Sequence, residues 1–179
     1  MLFKDVANHG KSYFDPVYWA VGKGITKVSV EFRPDDPVNR GEFTAFLYRL
    51  AGSPKVSKIT TKFSDVNKNT KFAKEISWAV SAGVIQGYKD GTFKPTANIT
   101  RAQVAIMLWR YAGKPAVKVK KSPFPDVELN GSDTSNAIIW GYKNNIMKGS
   151  GGKFLPKDNC TRGQTVTFMY RYYDKFGKD

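Results

Sequence analysis

The hydrophobic and polar positions of this chain follow a pattern that occurs three times. Two residue types recur with a spacing of 61 positions: Phe32, Phe93 and Phe154, and Arg40, Arg101 and Arg162. A fixed period across a whole chain is typical of a protein made of structural repeats. We therefore expect three units of similar structure, with an arginine and a phenylalanine at equivalent places.

Each unit is predicted to contain two helices joined by a loop. A first helix is expected at 16–23, 72–82 and 134–144, and each of these segments is followed by a glycine or an asparagine, Gly24, Gly83 or Asn145, residue types that accept the left-handed C′ conformation. Each carries a tryptophan that we interpret as a core anchor: Trp19, Trp78 and Trp140. The second helix opens with a capping box, as in Thr100 with Gln103, and continues with apolar residues at helical spacing.

Every unit opens with the pattern Phe-x-Asp-Val, whose aspartates are Asp5, Asp65 and Asp126. We expect these aspartates to accept hydrogen bonds from nearby backbone N–H groups in an Asx turn or cap. A single helix-loop-helix unit cannot bury its apolar face, whereas three units can cover one another. The sequence therefore predicts one mostly α domain over 1–179. Its helix-loop-helix repeats at 3–54, 63–115 and 124–173 are expected to pack as a pseudo-threefold trimer.

The formal net charge of the chain is +14, and the basic excess is present in every third of the sequence. A solvated basic surface is one interpretation. The other is attraction to a polyanion, such as a nucleic acid, an anionic membrane or an acidic cell-wall polymer. The charge is dispersed and no nucleic-acid-binding motif is present, so we expect no nucleic acid as partner. The sequence contains no apolar run of about 18 residues, so we expect no membrane insertion.

The inventory of reactive residues argues against an enzyme. His9 is the one histidine and belongs to no repeated feature, and Cys160 occupies a position that is apolar in the other repeats. No catalytic set, metal cluster or phosphate-binding loop is visible, so we expect no catalytic residue, metal or cofactor. Residues 1–20 lack the apolar core of a signal peptide. The first repeat begins at Phe3, which favours a fragment of a longer surface polypeptide.

Four stretches resemble the S-layer homology domain: Phe-x-Asp-Val, Trp-Ala-Val, Gly-Tyr-Lys-Asp-Gly-Thr-Phe-Lys-Pro and Ile-Thr-Arg-Ala-Gln. The resemblance covers nearly the whole chain and is most specific between Phe63 and Arg110. It implies three repeats around a central helical bundle. It also implies secretion and a place at the bacterial cell wall or S-layer, where the family anchors S-layer proteins and exoenzymes non-covalently to secondary cell-wall polymers, often with pyruvylated sugars.

The resemblance also implies binding residues. The arginine that binds ligand in the family corresponds to Arg40, Arg101 and Arg162, each expected at a helix start beside free backbone N–H groups that favour anions. The loop before the second helix adds these candidates in the middle repeat: Gly87, Tyr88, Asp90, Gly91 and Thr92. The first repeat lacks this loop pattern, and the third lacks its tyrosine and aspartate. We expect the Arg101→Ala variant to lose wall binding while it melts near wild type.

The predicted function is that of a non-catalytic anchoring module for an anionic cell-wall polysaccharide. Two alternatives stay open: a surface adhesin or assembly module that binds protein or another polyanion, and the anchoring part of a larger cell-wall or polysaccharide hydrolase. A second periodic set of arginines is interpreted as structural, either capping carbonyl groups or forming ion pairs: Arg49, Arg110 and Arg171.

Overall fold

The computed structural model describes residues 3–7, 11–27 and 29–177. His9 lies outside the described residues. Within them the chain forms seven α-helices and no β-strand, so the prediction of a mostly α fold is confirmed. The helices are α1 Lys4–Ala7, α2 Lys11–Gly22, α3 Arg40–Leu50, α4 Ala73–Ser81, α5 Arg101–Tyr111, α6 Asp133–Lys143 and α7 Arg162–Phe176. None of the helices in this described part combines the length and apolarity that a membrane crossing needs.

The second helix of each repeat, α3, α5 or α7, starts at its predicted cap. At α5, the Thr100 side chain accepts from the Gln103 N–H (3.2 Å) and the Gln103 side chain accepts from the Thr100 N–H (3.1 Å), which completes a capping box. The same box is present at α7. At α3, the Asn39 side chain accepts from the Glu42 N–H at 2.8 Å, but the Glu42 carboxylate binds elsewhere. The first repeat therefore lacks the second half of the capping box.

The first helices agree with the sequence in two repeats and differ in one. Helices α4 and α6 lie within a residue of their predicted bounds, whereas α2 begins at Lys11, five positions before the predicted start at Pro16. A proline removes one helical hydrogen bond without preventing a helical turn before it. That earlier turn carries Tyr13, whose ring packs closely on Gly163 of α7: a Cβ added to Gly163 would lie 2.9 Å from the ring. This tertiary contact stabilises the added helical turn.

The three repeats contact one another in a closed cycle. Each second helix packs on the first helix of the following repeat: α3 on α4, α5 on α6, and α7 on α2. A ring of backbone hydrogen bonds makes the same cycle, from the Val38 N–H to the Cys160 carbonyl (3.1 Å), from the Cys160 N–H to the Ile99 carbonyl (2.9 Å), and from the Ile99 N–H back to the Val38 carbonyl (2.8 Å). Cys160 is fully buried, and burial raises its thiol pKa to about 11, so its side chain behaves as a core hydrophobe.

The repeated aspartates hold distant backbone rather than a nearby turn, which corrects the sequence-based prediction. Asp65 accepts from the N–H groups of Phe93 (2.8 Å) and Lys94 (2.7 Å), and Asp5 and Asp126 make the equivalent pairs of bonds in their own repeats. The residue after each of these phenylalanines has a positive φ: Arg33 61°, Lys94 57° and Leu155 59°. The aspartate therefore stabilises a left-handed residue that is not glycine and fixes the loop before the second helix.

Candidate anion-binding grooves

The three family arginines reach across the boundaries between repeats. Arg40 Nε donates to the Phe93 carbonyl, Arg101 Nε to that of Phe154, and Arg162 Nε to that of Phe32, at 2.8 to 2.9 Å. Each arginine therefore meets the loop of the next repeat in the cycle. The exchange could not be predicted from the sequence, because a 61-residue period shows which positions are equivalent but not which repeats are in contact.

The backbone N–H groups at these helix starts are occupied, contrary to the expectation that they are free. The Arg40 N–H donates to the Ala97 carbonyl at 2.9 Å and the Gly41 N–H to the Pro95 carbonyl at 2.8 Å, and the starts of α5 and α7 are paired in the same way. Any anion at these sites is therefore bound by side chains rather than by the helix terminus.

The Arg40 groove is a cavity of about 170 Å³ between the first and second repeats. It is lined by Arg40, Gly87, Tyr88, Gln103, Met107 and Arg110, among others. Arg40 is only 5% exposed, and its guanidinium lies over the rings of Phe93 (4.5 Å) and Tyr88 (4.8 Å). Within the described residues its terminal nitrogens, Nη1 and Nη2, have no hydrogen-bond partner.

The electrostatics of Arg40 favour an added anion. Desolvation by burial lowers its pKa, an effect that the neighbouring Tyr88 and Asp65 partly offset. A guanidinium stays charged in proteins, so burial without a carboxylate partner is unfavourable for the free protein. A carboxylate or phosphate in the groove would supply both the missing charge and acceptors for the two unpartnered nitrogens.

The loop residues predicted from the sequence divide into two groups. Gly87 and Tyr88 line the groove, whereas Asp90, Gly91 and Thr92 form the turn behind it. Asp90 accepts from the Thr92 N–H (3.0 Å) and pairs with Lys94 (3.0 Å); these contacts, the Thr92 side chain first, lower its pKa to about 2. A Cβ on Gly87 would stand 2.3 Å from the Phe63 ring, so the groove needs glycine there.

Arg110 is a groove residue that the sequence analysis treated as structural only. It does form the expected ion pair, with Asp133 at 2.6 Å, and it also donates to the Gln86 side chain at 2.9 Å. Because these contacts hold it in the wall of the Arg40 groove, its remaining surface faces the same cavity. Its recurrence with Arg49 and Arg171 was the signal that pointed to a repeated role.

Arg101 occupies the equivalent place between the second and third repeats but is saturated by protein groups. Its Nε donates to the Phe154 carbonyl (2.8 Å), Nη1 to Gln164 Oε1 (3.2 Å) and Nη2 to the Lys148 carbonyl (2.9 Å). Arg101 is as buried as Arg40, at 5% exposed. With a protein acceptor for each of its three nitrogens, Arg101 fastens two repeats together.

Arg162 lies between the third and first repeats, where it forms an ion pair with the Glu42 carboxylate. The side chain of Arg162 is 19% exposed and that of Glu42 is 25% exposed. The pair borders a basin of about 490 Å³ that is also lined by Lys27, Arg33, Arg49 and Lys71. Arg49 donates to the Ile25 carbonyl at 2.8 Å, the capping role predicted for it. The basin also holds Glu31 and Asp36, and the Glu42 carboxylate already engages its central arginine.

Comparison with known proteins decides the family. The family model described as the S-layer homology domain matches residues 2–44, 62–105 and 123–166, which together form most of the chain. The chain belongs to the S-layer homology domain family. Its three matched segments each end just after the start of a second helix, so all three family arginines lie inside them.

Curated relatives carry this module as a small part of a longer protein. An endoglucanase of Bacillus sp. (strain KSM-635) is 34% identical over 140 residues, 75% of this chain and 15% of that protein. An amylopullulanase of Thermoanaerobacterium thermosulfurigenes is 30% identical over 161 residues, 87% of this chain and 8% of that protein. A cellulosome-anchoring protein of Acetivibrio thermocellus is 31% identical over 105 residues, 54% of this chain and 22% of that protein.

S-layer homology domains anchor proteins to the cell surface, and this chain is a non-catalytic module of that kind. The two enzymes named above align with it over 15% of their length or less, so the similarity does not extend to the rest of either enzyme. Within the described residues no group of three or more His, Cys, Asp or Glu side chains is placed to hold a metal ion.

Proposed function

We propose that this module anchors its parent protein by binding an anionic secondary cell-wall polysaccharide, with the Arg40 groove as the main site. One observation carries the proposal: Arg40 is buried beside a cavity, and its two terminal nitrogens have no partner among the described residues. A carboxylate on a sugar, such as a ketal-linked pyruvate, or a phosphate fits this arrangement because either can accept two parallel hydrogen bonds from a guanidinium.

The groove offers further contacts for a sugar that carries such an anion. Tyr88 is 37% exposed and stands as an aromatic wall over the guanidinium, while Gly87 leaves room for close approach. Arg110, whose charge is paired with Asp133, forms the other wall, and the net charge of +14 draws a polyanion to the whole surface. Charge-assisted hydrogen bonds of this type contribute about 1.5 to 3 kcal/mol each.

The other two arginines are proposed as weaker members of the site. A ligand at Arg162 competes with Glu42, and a ligand at Arg101 has to replace bonds to Gln164 and the Lys148 carbonyl. We further propose that the chain is secreted as part of a longer surface polypeptide, because its relatives bear the module as 22% or less of their length.

Co-sedimentation with bacterial cell-wall sacculi tests the function. We expect the module to sediment with native sacculi and to stay in solution after the secondary polymers have been removed with hydrofluoric acid. The Thr96→Ala variant, which changes an exposed residue outside the groove, should behave like wild type. Equal binding to native and extracted sacculi would reject the polymer as ligand.

A further inference from the structure

A second cavity lies just beyond the C-terminal end of helix α5. It measures about 500 Å³ and is formed by the 112–117 linker, the end of α6 and the last turn of α7. We call it the aromatic pocket, after its residues Trp140, Tyr172 and Phe176. Arg110 lines the Arg40 groove and Ala112 lines the aromatic pocket. The Arg40 groove therefore runs along α5, whereas the aromatic pocket begins at the residue that follows the last helical residue of α5.

The pocket owes one wall to an extra helical turn. Helices α3 and α5 have 11 residues each and are followed by Gly52 and Gly113 with positive φ, whereas α7 has 15 residues and meets no glycine before Gly177. The added turn carries Phe176, whose ring stacks on that of Trp140 at 6.0 Å and 12°. The third repeat therefore has a surface feature that the same helix in the other repeats is too short to form.

Polar groups stand beside these rings. Asn144 Nδ2 donates to the Trp140 carbonyl at 2.8 Å, which fixes the amide, and its Oδ1 accepts no hydrogen bond from any described residue. Lys143 Nζ reaches the Lys118 carbonyl at 3.3 Å and remains exposed. The opposite wall is held because Trp109 Nε1 donates to the Pro115 carbonyl at 2.9 Å. The pocket is thus formed before any ligand arrives, as binding sites for small molecules usually are.

We propose that the aromatic pocket binds a neutral sugar ring of a cell-wall glycan. A pyranose has an apolar C–H face that packs on an aromatic ring, and Phe176, which is 45% exposed, offers such a ring. The hydroxyl groups of the sugar can donate to Asn144 Oδ1 and accept from Lys143 Nζ, so the sugar satisfies both polar groups. A cationic ligand is disfavoured by Lys143, and a wholly apolar ligand would leave the amide oxygen without a donor.

This site goes beyond the proposed anchoring function, since it needs no charge on the ligand and shares no residue with the Arg40 groove. The two sites together would let one module hold an acidic polymer at one site and a neutral glycan strand at the other. Two weak contacts to the same wall would strengthen attachment through multivalency.

Titration of the indole N–H signals by NMR with a β-1,4-linked N-acetylglucosamine tetrasaccharide tests the site. We expect a saturable shift at Trp140 that salt does not abolish. Phe176→Ala should weaken the affinity about tenfold, the loss typical of one stacked ring. Asn144→Ala should weaken it as well while leaving the aromatic walls in place.

Two control variants make the result specific. Phe14 is also an exposed aromatic ring, 40% exposed and packed on Tyr18 at 4.6 Å, but it lies outside the pocket, so Phe14→Ala should bind the tetrasaccharide like wild type. Arg40→Gln should also bind it normally while losing the acidic polymer, which separates failure of one proposal from failure of the other. The absence of a shift at Trp140, or equal losses in Phe14→Ala and Phe176→Ala, would overturn the inference.

Discussion

Arg40 and Arg101 occupy equivalent places in successive repeats and are equally buried, yet their guanidinium groups differ in what remains to be bound. Both donate through Nε to the phenylalanine carbonyl of the next repeat. The two Nη atoms of Arg101 then find protein acceptors, whereas those of Arg40 find none among the described residues. The repeated sequence therefore gives both arginines the same Nε hydrogen bond. Whether the Nη atoms remain available for a ligand depends on the residues that surround each arginine.

A glutamine and a tyrosine explain part of this difference. Gln164 turns its Oε1 toward Arg101, but Gln103, its counterpart, donates through Nε2 to the Tyr88 hydroxyl at 3.1 Å and leaves Arg40 alone. The loop of the third repeat has no tyrosine at the corresponding place. In the first repeat the residue at this position is Glu42, whose carboxylate binds Arg162 directly. The residue at this one helix position thus differs in its effect on the arginine that it faces: Arg40 stays unpartnered at its Nη atoms, Arg101 is fully hydrogen-bonded, and Arg162 forms an ion pair.

The largest effect is expected from Arg40→Gln. The change removes two unpartnered donors and a buried charge but keeps an amide that can reach the Phe93 carbonyl. Polymer affinity should fall about 100-fold, equivalent to the loss of roughly 3 kcal/mol of charge-assisted hydrogen bonding. The free energy of unfolding should stay the same or rise slightly. Sedimentation with sacculi and a thermal melt measure the two quantities, and a variant that binds as wild type would remove Arg40 from the site.

Arg101→Gln is expected to show the opposite behaviour. Loss of its bonds to Gln164 and the Lys148 carbonyl should lower the free energy of unfolding by about 2 to 4 kcal/mol. Polymer binding should change little at temperatures where the variant is folded. This replaces the expectation, drawn from sequence alone, that an Arg101 variant melts near wild type. Denaturant unfolding checks it, and an unchanged midpoint would contradict the fastening role.

The aspartates below the two grooves should behave alike, because their bonds are the same. Asp126→Asn and Asp65→Asn each replace one acceptor by a donor that faces a backbone N–H, and each should cost about 1 to 3 kcal/mol. Such matched losses would show that the loops are equivalent and that only the arginines differ. Unequal losses would place part of the difference between the grooves in the loops themselves. Urea unfolding at neutral pH makes the comparison.

Asp126 should also contribute to stability in a pH-dependent way. Burial raises its pKa, but hydrogen bonds from the Phe154 and Leu155 N–H groups outweigh burial and lower the pKa below the ordinary 3.8. A lowered carboxyl pKa stabilises the folded state above the unfolded value, and this stabilisation disappears as the pH falls through the folded value. Wild type should therefore lose stability below about pH 4 more steeply than Asp126→Asn. Parallel acid unfolding curves would contradict this.

A smaller effect is expected from Glu42→Gln. The substitution gives the first repeat the residue of the other two and frees Arg162 from its ion pair. Polymer affinity should rise a few-fold, since a partly exposed pair of this kind contributes on the order of 1 kcal/mol that the ligand would otherwise have to overcome. Binding measured at two salt concentrations checks the gain, and unchanged affinity would mean that the Arg162 basin takes no ligand.

Much of the fold could be predicted from the sequence because it depends on local signals that are repeated. Thr100 with Gln103 predicted a helix start that the structure confirms, and Cys160 was assigned to the core by its periodic position. The start of α2 was misplaced because Pro16 suggested a helix beginning. The turn before Pro16 is stabilised by Tyr13, which packs on Gly163 in the third repeat, far away in the sequence.

The site could be predicted only in part, because its assembly is not local. The sequence identified Arg40 and Tyr88 as candidates but did not show that the two residues belong to the same groove. Only the cyclic packing brings Arg40 to Tyr88 and Arg110 to the same cavity. The occupied N–H groups at the helix starts were likewise invisible, since their acceptors, such as the Ala97 carbonyl, belong to the neighbouring repeat.

The most direct test of the account is the number of sites that a short polymer fragment occupies. We would titrate a purified fragment with a single pyruvylated or phosphorylated end into wild type, Arg40→Gln and Arg101→Gln by calorimetry. The account predicts one strong site per chain in wild type and in folded Arg101→Gln, and none in Arg40→Gln. Three equal sites, or strong binding that survives in Arg40→Gln, would contradict the claim that the Arg40 groove alone is open.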